Sequence, residues 1–349
     1  MSRLCYLTRN YPSLNGAGNK AKNDNEQTLQ SLGAINLGLK TSYYDNVLLH
    51  FFLNLFGVIR MAFTIRAGDQ LVLQYPVKKY FSFICRVAHW RKATTIVLIH
   101  DLTSMHRKRI TIEKEISRLM RADYVIASNE AMKQWLQNQG LTRPTGALGL
   151  FDYRSAATPE NDSVPASSHR YALVYAGALV MRKNAYLLDL ARMDRCFDLH
   201  VYGNSDGLPG LQEAKHVVCY PFTPADTFIR SAEGDFGLVW DGDSLDTCHG
   251  DFGEYLRYNS PHKVSFYLRA GLPVIIWKQA AVASIIEEEG IGICVESMKE
   301  LERLLASITP EQMQQMKTNV KRVSDRLKRG DFFTQALQQA QDELKSLKV

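Results

Sequence analysis

Tyr255-Leu-Arg-Tyr-Asn-Ser-Pro-His-Lys-Val-Ser-Phe-Tyr-Leu-Arg-Ala-Gly-Leu-Pro-Val-Ile-Ile-Trp277 is the stretch whose reading decides the fold. Pro261 suits a first helical turn, where a missing N–H costs nothing, and Ser260 before it predicts the N-cap. Val264, Tyr267 and Leu268 recur at helical spacing, and Gly271 stands where a left-handed C′ residue ends the helix. Pro273 then opens the all-apolar run Val274 to Trp277, which reads as a strand of a parallel sheet buried on both faces. His262 and Lys263 fall in the first turn of this helix. Free N–H groups and cationic side chains converge there, which predicts an anion site, with phosphate offsetting cations that the helix dipole alone disfavours.

The run Asn259-Ser-Pro-His-Lys-Val-Ser-Phe-Tyr-Leu-Arg-Ala-Gly-Leu-Pro-Val-Ile275 resembles the donor-binding segment of GT-B-type glycosyltransferases. More closely, it is similar to bacterial β-1,6-galactofuranosyltransferases and their relative, the glucosyltransferase that extends GlcNAc on serine-rich adhesins. Ala122-Asp-Tyr-Val-Ile-Ala-Ser-Asn-Glu-Ala-Met132 resembles the same family. The resemblance implies an α/β fold of GT-B type, two Rossmann-like doubly wound parallel-sheet domains facing a cleft. It implies an acceptor domain over residues 1–155, a nucleotide-sugar domain over 170–325, and a helix in 326–349 that crosses back to the first domain. Many such enzymes grip the nucleotide ribose with a Glu five residues before the Gly of this segment; here Phe266 stands there, so the ribose contact comes from elsewhere.

Outward from the opening stretch, the second half repeats a strand–helix rhythm. Tyr171–Ala176 reads as a strand, and Gly177 lets the chain turn into Met181-Arg-Lys-Asn184, where Arg182 and Lys183 form a second phosphate grip. If the two strands are neighbours, these cations and the pair at 262–263, with Ser265, meet on one diphosphate. GT-B enzymes use such an arrangement without a metal. Tyr220, following a strand, is placed either to stack on a nucleobase or to pack. Asp241-Gly-Asp243 matches the short metal motif of the other glycosyltransferase fold, but three residues are not specific and the abundant cations argue for side-chain neutralisation.

The first half carries 20 Lys and Arg against 9 Asp and Glu in residues 1–150, whereas the remainder carries 22 against 27. This asymmetry predicts different partners for the two halves. No helix-turn-helix, zinc-finger or RNA-recognition signature accompanies the basic charge, which argues against nucleic acid. Arg3–Thr8 reads as a strand, followed by a loop with Gly16, Gly18, Asn19 and Lys20 and a helix from about Asp24 to Leu37. Gly16, Gly18 and Ala21 match G-x-G-x-x-G/A, but seven residues separate them from the strand and no acid follows near position 40, against a nicotinamide dinucleotide site. A loop offering backbone N–H groups and Lys20 to a diphosphate fits better.

Residues 47–66 are apolar nearly all round, but His50, Asn54, Gly57 and Arg60 argue against a transmembrane span. A buried helix is the expectation; an interfacial helix is the alternative, held to anionic lipid by Lys78, Lys79, Arg86, Arg91, Lys92 and Arg107 to Arg109. His100-Asp101 follow the strand Thr94–Ile99, where an open parallel sheet places its ligands. Asp101 is the candidate general base, with His100 as alternative. Residues 152–169, polar and bearing Ser and Pro, read as the interdomain linker.

Six scattered cysteines without a Cys-x-x-Cys pair, and no apolar leader after Met1-Ser2-Arg3, predict a cytoplasmic chain, at most peripheral at the inner face of the membrane. The resulting expectation is a transferase that moves galactofuranose or glucose from a UDP-sugar co-substrate, without a metal or other cofactor, to a hydroxyl of a glycan or lipid-linked acceptor. A homo-oligomer is left open. A nucleotide-sugar epimerase and a non-catalytic nucleotide-sugar-binding partner of another transferase are the alternatives.

Overall fold

The computed structural model describes residues 2–11, 17–77, 80–106, 108–160 and 170–347. Gly16, Lys78, Lys79, Arg107 and residues 161–169, named above, lie outside them. The chain divides into two units, residues 1–152 with 330–349 and residues 153–329.

The first unit holds one parallel sheet of β1 (Leu4–Tyr6), β2 (Ile35–Asn36), β3 (Gln70–Tyr75), β4 (Thr94–Ile99), β5 (Tyr124–Ala127) and β6 (Thr145–Ala147), in the order β2-β1-β3-β4-β5-β6. β3, β4 and β5 are near-continuous apolar runs because helices cover the sheet faces. The helix Asp331–Ser346 belongs to this unit, burying Phe333, Leu337, Ala340 and Leu344, while Tyr124 donates to Glu343 at 2.9 Å. Asp152 accepts from the backbone N–H groups of Phe332 and Phe333 at 3.2 and 2.8 Å, satisfying donors that the start of a helix leaves open.

Three expectations change in this unit. The first helix runs Ala17–Ser31, not Asp24 to Leu37, so Gly18, Asn19 and Lys20 are helical rather than loop, and residues 35–36 form edge strand β2. The buried residues of that helix are mostly polar, Asp24, Asn25, Glu26 and Thr28 beside Ala21 and Leu29, which hid its period. The helix Val47–Thr64 is not a buried helix, because only Gly57, Val58 and Met61 are buried. It begins at Asn46, whose side chain accepts from the Leu49 N–H at 3.0 Å. A helix apolar on every side has two apolar faces, and the unit's core covers one.

The second unit holds a parallel sheet of β7 (Ala172–Ala176), β8 (Asp198–Tyr202), β9 (Val217–Tyr220), β10 (Phe236–Val239), β11 (Val274–Trp277) and β12 (Gly292–Val295), ordered β12-β11-β10-β7-β8-β9. The order reverses at β7, so a crevice opens where the carboxyl ends of β7 and β10 diverge. Residues 153–160, expected as linker, are fastened to this unit. Arg269 donates to the carbonyls of Ser155 and Ala157 at 3.0 and 2.7 Å and to the Ser324 hydroxyl at 2.8 Å, and Glu160 N–H donates to the Arg230 carbonyl at 3.0 Å.

Candidate active site

The opening stretch folds as the helix His262–Arg269 followed by β11, with Gly271 left-handed at φ 76°. Its N-cap is Pro261 rather than Ser260, and the helix starts one residue later than expected. Val264, Tyr267 and Leu268 are buried, each worth about 1.5–3 kcal/mol of apolar transfer. Tyr267 sets the position of the helix. Its ring lies against Gly237 of β10, where a Cβ would come within 2.2 Å, and its hydroxyl accepts from the Ala176 N–H of β7 at 2.8 Å. One side chain therefore clamps the helix over the two strands that flank the switch point.

That clamp delivers Lys263 to the end of β7. Its Nζ lies 3.6 Å from the centre of the Tyr175 ring, is buried, and has no hydrogen-bond partner among the described residues. Gly177, at φ 144°, leaves room for it: a Cβ there would stand 3.2 Å from Lys263 Cε. Burial drives the Lys263 ammonium well below its ordinary pKa; the like charge of Lys183 adds to this, and Asp241 opposes it. Lys183 in turn meets the Asp241 carboxylate, just past β10, at 3.3 Å.

Arg182 and Lys183, on the short helix Met181–Asn184, both flank the Phe252 ring, at 5.2 and 5.6 Å from its centre. Asn184 fixes this turn by donating to the Tyr175 hydroxyl at 2.7 Å and accepting from the Val180 N–H at 3.2 Å. The structure thus brings Gly177, Lys183 and Lys263 together with Tyr175 and Asp241, while Arg182 is exposed and joins them only through the Phe252 ring that Lys183 also flanks. Asp241 faces a lysine; Asp243 lies 3.7 Å from His249. No cluster of three or more metal-ligating side chains occurs among the described residues.

Other candidates are placed elsewhere. Ser265 is 1% exposed and offers no surface to a ligand. Tyr220, on edge strand β9, is half-buried, stacks on Tyr202 at 4.3 Å and donates to Glu233 at 2.8 Å. His262 stacks on Tyr153 at 4.9 Å, and Phe266, in place of a ribose-binding Glu, stacks on Phe228 at 4.4 Å.

In the first unit, Lys20 is paired with Asp24 at 2.5 Å, one turn along the same helix. His100 and Asp101 follow β4 as expected. His100 is buried, with Nε2 2.8 Å from Gln74 Oε1 and its ring stacked on Phe151 at 5.0 Å; Asp101 is half-buried. Beside them lies a polar cluster the sequence did not flag. Glu26 accepts from the Thr8 and Tyr11 hydroxyls, each at 2.5 Å, and burial raises its pKa. Arg9 donates to the Gln74 carbonyl at 2.7 Å.

Two doubly wound parallel sheets, one with cations gathered at its switch point, make up the GT-B fold. The lipopolysaccharide outer core galactosyltransferase WaaB in its apo form shares this fold, with a TM-score of 0.59 at 12% identity over 96% of this chain and 99% of that one. A glycosyltransferase from Rickettsia africae ESF-5 does so with a TM-score of 0.60 at 10% identity over 99% of each. The chain belongs to the glucosyltransferase 3-like family, whose N-terminal domain matches residues 4–150 and whose C-terminal domain matches residues 173–340. It is 31% identical over 279 residues to the β-1,6-galactofuranosyltransferase WbbI of Escherichia coli K12, covering 80% of this chain and 81% of that protein. It is 33% identical over 277 residues to glucosyltransferase 3 of Streptococcus gordonii, covering 77% and 78%. The protein is therefore an enzyme, a glycosyltransferase.

Proposed function

We propose that the enzyme moves a hexosyl unit, galactofuranose or glucose, from a UDP-sugar to a hydroxyl of a cell-surface glycan or lipid-linked acceptor in the cytoplasm. The observation that carries this reading is Lys263, an ammonium buried at the sheet's switch point with no acceptor on its Nζ. A buried cation left without a partner is costly, and an incoming diphosphate supplies the missing oxygens. Lys183 acts on Lys263 directly, and Arg182 follows on the same turn, so both can share the charge of the departing UDP, and the chemistry needs positioning and electrostatic stabilisation in place of a protein nucleophile. Galactofuranose and glucose are the sugars named in two of the family relatives.

In the proposed step the acceptor oxygen bonds to the anomeric carbon as the bond to UDP breaks, UDP keeping its electron pair. The acceptor proton passes to the Asp101 carboxylate. His100 is the alternative for that proton, with its Nε2 2.8 Å from Gln74 Oε1. Its stacking on Phe151 suits a residue that shapes the site.

The test incubates the purified enzyme with UDP-galactofuranose and UDP-glucose, with and without glycan acceptors, following UDP release and product mass. UDP release that depends on acceptor, with a hexose added to it, supports the reading. Conversion of donor to an epimer without acceptor would overturn it in favour of an epimerase. UDP binding without transfer to any acceptor would leave a binding partner of another transferase.

A further inference from the structure

The helix Val47–Thr64 carries a second apolar face that none of the described residues of its unit covers. Gly57, Val58 and Met61 turn to the core, with Val58 and Met61 in the same buried cluster as Leu7 and Leu37. Leu48, Phe52, Phe56, Ile59 and Phe63 recur at intervals of three and four residues, which places them on the opposite side of the helix. They are exposed, Leu48 by 70%, Phe56 by 55% and Phe63 by 79%.

The neighbouring helix Phe81–Trp90 extends this surface. Phe51 approaches Tyr80 at one end and Arg91 donates to the Ala62 carbonyl at the other, so the two helices run side by side in the same direction. Phe83, Arg86 and Trp90 form its exposed stripe, with Trp90 77% exposed.

Charge identifies the occupant. Between the exposed Asp45 and the half-buried Asp101 the sequence holds seven Lys and Arg and one acid, Asp69, which is buried and bonded to Arg3. Arg60, Arg66, Arg91 and Lys92 line a recess of about 740 Å³ together with Phe63 and Trp90. The Arg91 guanidinium lies 5.3 Å from the Trp90 ring centre. Exposed aromatics beside a basic recess whose lining contains no acid match the apolar edge and anionic head groups of a bilayer surface. By length and composition the helix could cross a membrane. Its core-facing side is instead occupied by its own unit, so it is placed to lie along the surface.

We propose that the first unit docks on anionic lipid bilayers through the outer face of Val47–Thr64 and the Arg66–Lys92 recess. The proposal is independent of the donor reading, because its test involves no nucleotide. The full chain is sedimented with phosphatidylcholine vesicles with or without phosphatidylglycerol, and its oligomeric state in solution is measured by light scattering. Binding is expected to require phosphatidylglycerol and to weaken as salt shortens the screening length to about 3 Å at about 1 M. Arg66→Gln with Lys92→Gln should weaken it about 25-fold, about fivefold for each cation lost at the surface. Phe56→Ser with Phe63→Ser should weaken it at least about tenfold, with an unchanged circular dichroism spectrum. Equal binding by wild type and both double variants overturns the proposal. So does a wild-type dimer that ignores vesicles and becomes monomeric in the Phe56→Ser, Phe63→Ser variant, which would make the face a contact between copies.

Discussion

Replacing Lys263 by Met should make the unliganded protein more stable and its nucleotide complex weaker. Met fills a similar volume over the Tyr175 ring but carries no charge. The exchange loses a cation–π contact worth about 0.5–2 kcal/mol and relieves an unpartnered buried ammonium that costs several. A net gain of about 2 kcal/mol raises Tm by about 4–8 °C for a unit of this size. The gain has a defined pH dependence. Burial and Lys183 depress the folded pKa of Lys263 below its unfolded value, so the unfolded chain binds more protons between those two values. Wild-type stability therefore falls as pH drops through that window, and the advantage of the variant grows.

UDP reverses the order. A hydrogen bond to a charged group contributes about 1.5–3 kcal/mol, so the variant should bind UDP about 10- to 150-fold more weakly. At a concentration 100 times the wild-type Kd, UDP stabilises the wild type by about 2.7 kcal/mol, whereas a variant with 100-fold weaker binding gains about 0.4 kcal/mol. Thermal melts of both proteins with and without UDP measure all four states. A variant that melts no higher than wild type without UDP, yet keeps the full UDP shift, would refute the donor-site assignment.

Gly177→Ala places a Cβ against Lys263 Cε at a left-handed φ. It should cost about 1–2 kcal/mol in a denaturant melt and abolish most of the UDP-induced shift. Asp101→Asn should lower the transfer rate by about 10²–10⁴ while calorimetry finds UDP affinity unchanged, since Asp101 lies in the first unit and Lys263 in the second. Burial lifts Asp152 to a pKa of about 7 against the two N–H bonds that hold it down. Its folded pKa exceeds the unfolded value of about 3.9, so stability present at low pH is lost as pH rises from about 4 to about 7. In Asp152→Asn that slope should vanish from urea melts taken across the range.

Much of the fold was legible because its strands are buried on both faces. Thr94–Ile99, Tyr171–Ala176 and Val274–Trp277 are apolar runs between turn signals, and each forms a strand. The two strands missed, β2 and β6, are a two-residue edge with Ile35 exposed and a Thr-Gly-Ala segment, neither with an apolar run to detect. The Val47–Thr64 helix was legible as a helix, but periodicity cannot say which of two apolar faces a fold will cover. In the site, Lys263 and Lys183 could be proposed from their places after turns and helix starts. Tyr175, Asp241 and Phe252 could not, because their roles come from the order of strands in space. Ser265, buried, shows the converse, since a polar side chain in a helix beside the site can equally face the interior.

The last helix joins the first unit although residues 153–329 are made in between. On a ribosome adding about 5–20 residues per second, β5 and β6 wait roughly 10–40 s after Asp152 for the partner that buries them. The second unit, continuous in sequence, can be complete while the first is still unfinished. Folding can therefore finish in the opposite order to synthesis here, and a holding chaperone would find its substrate in the half synthesised first.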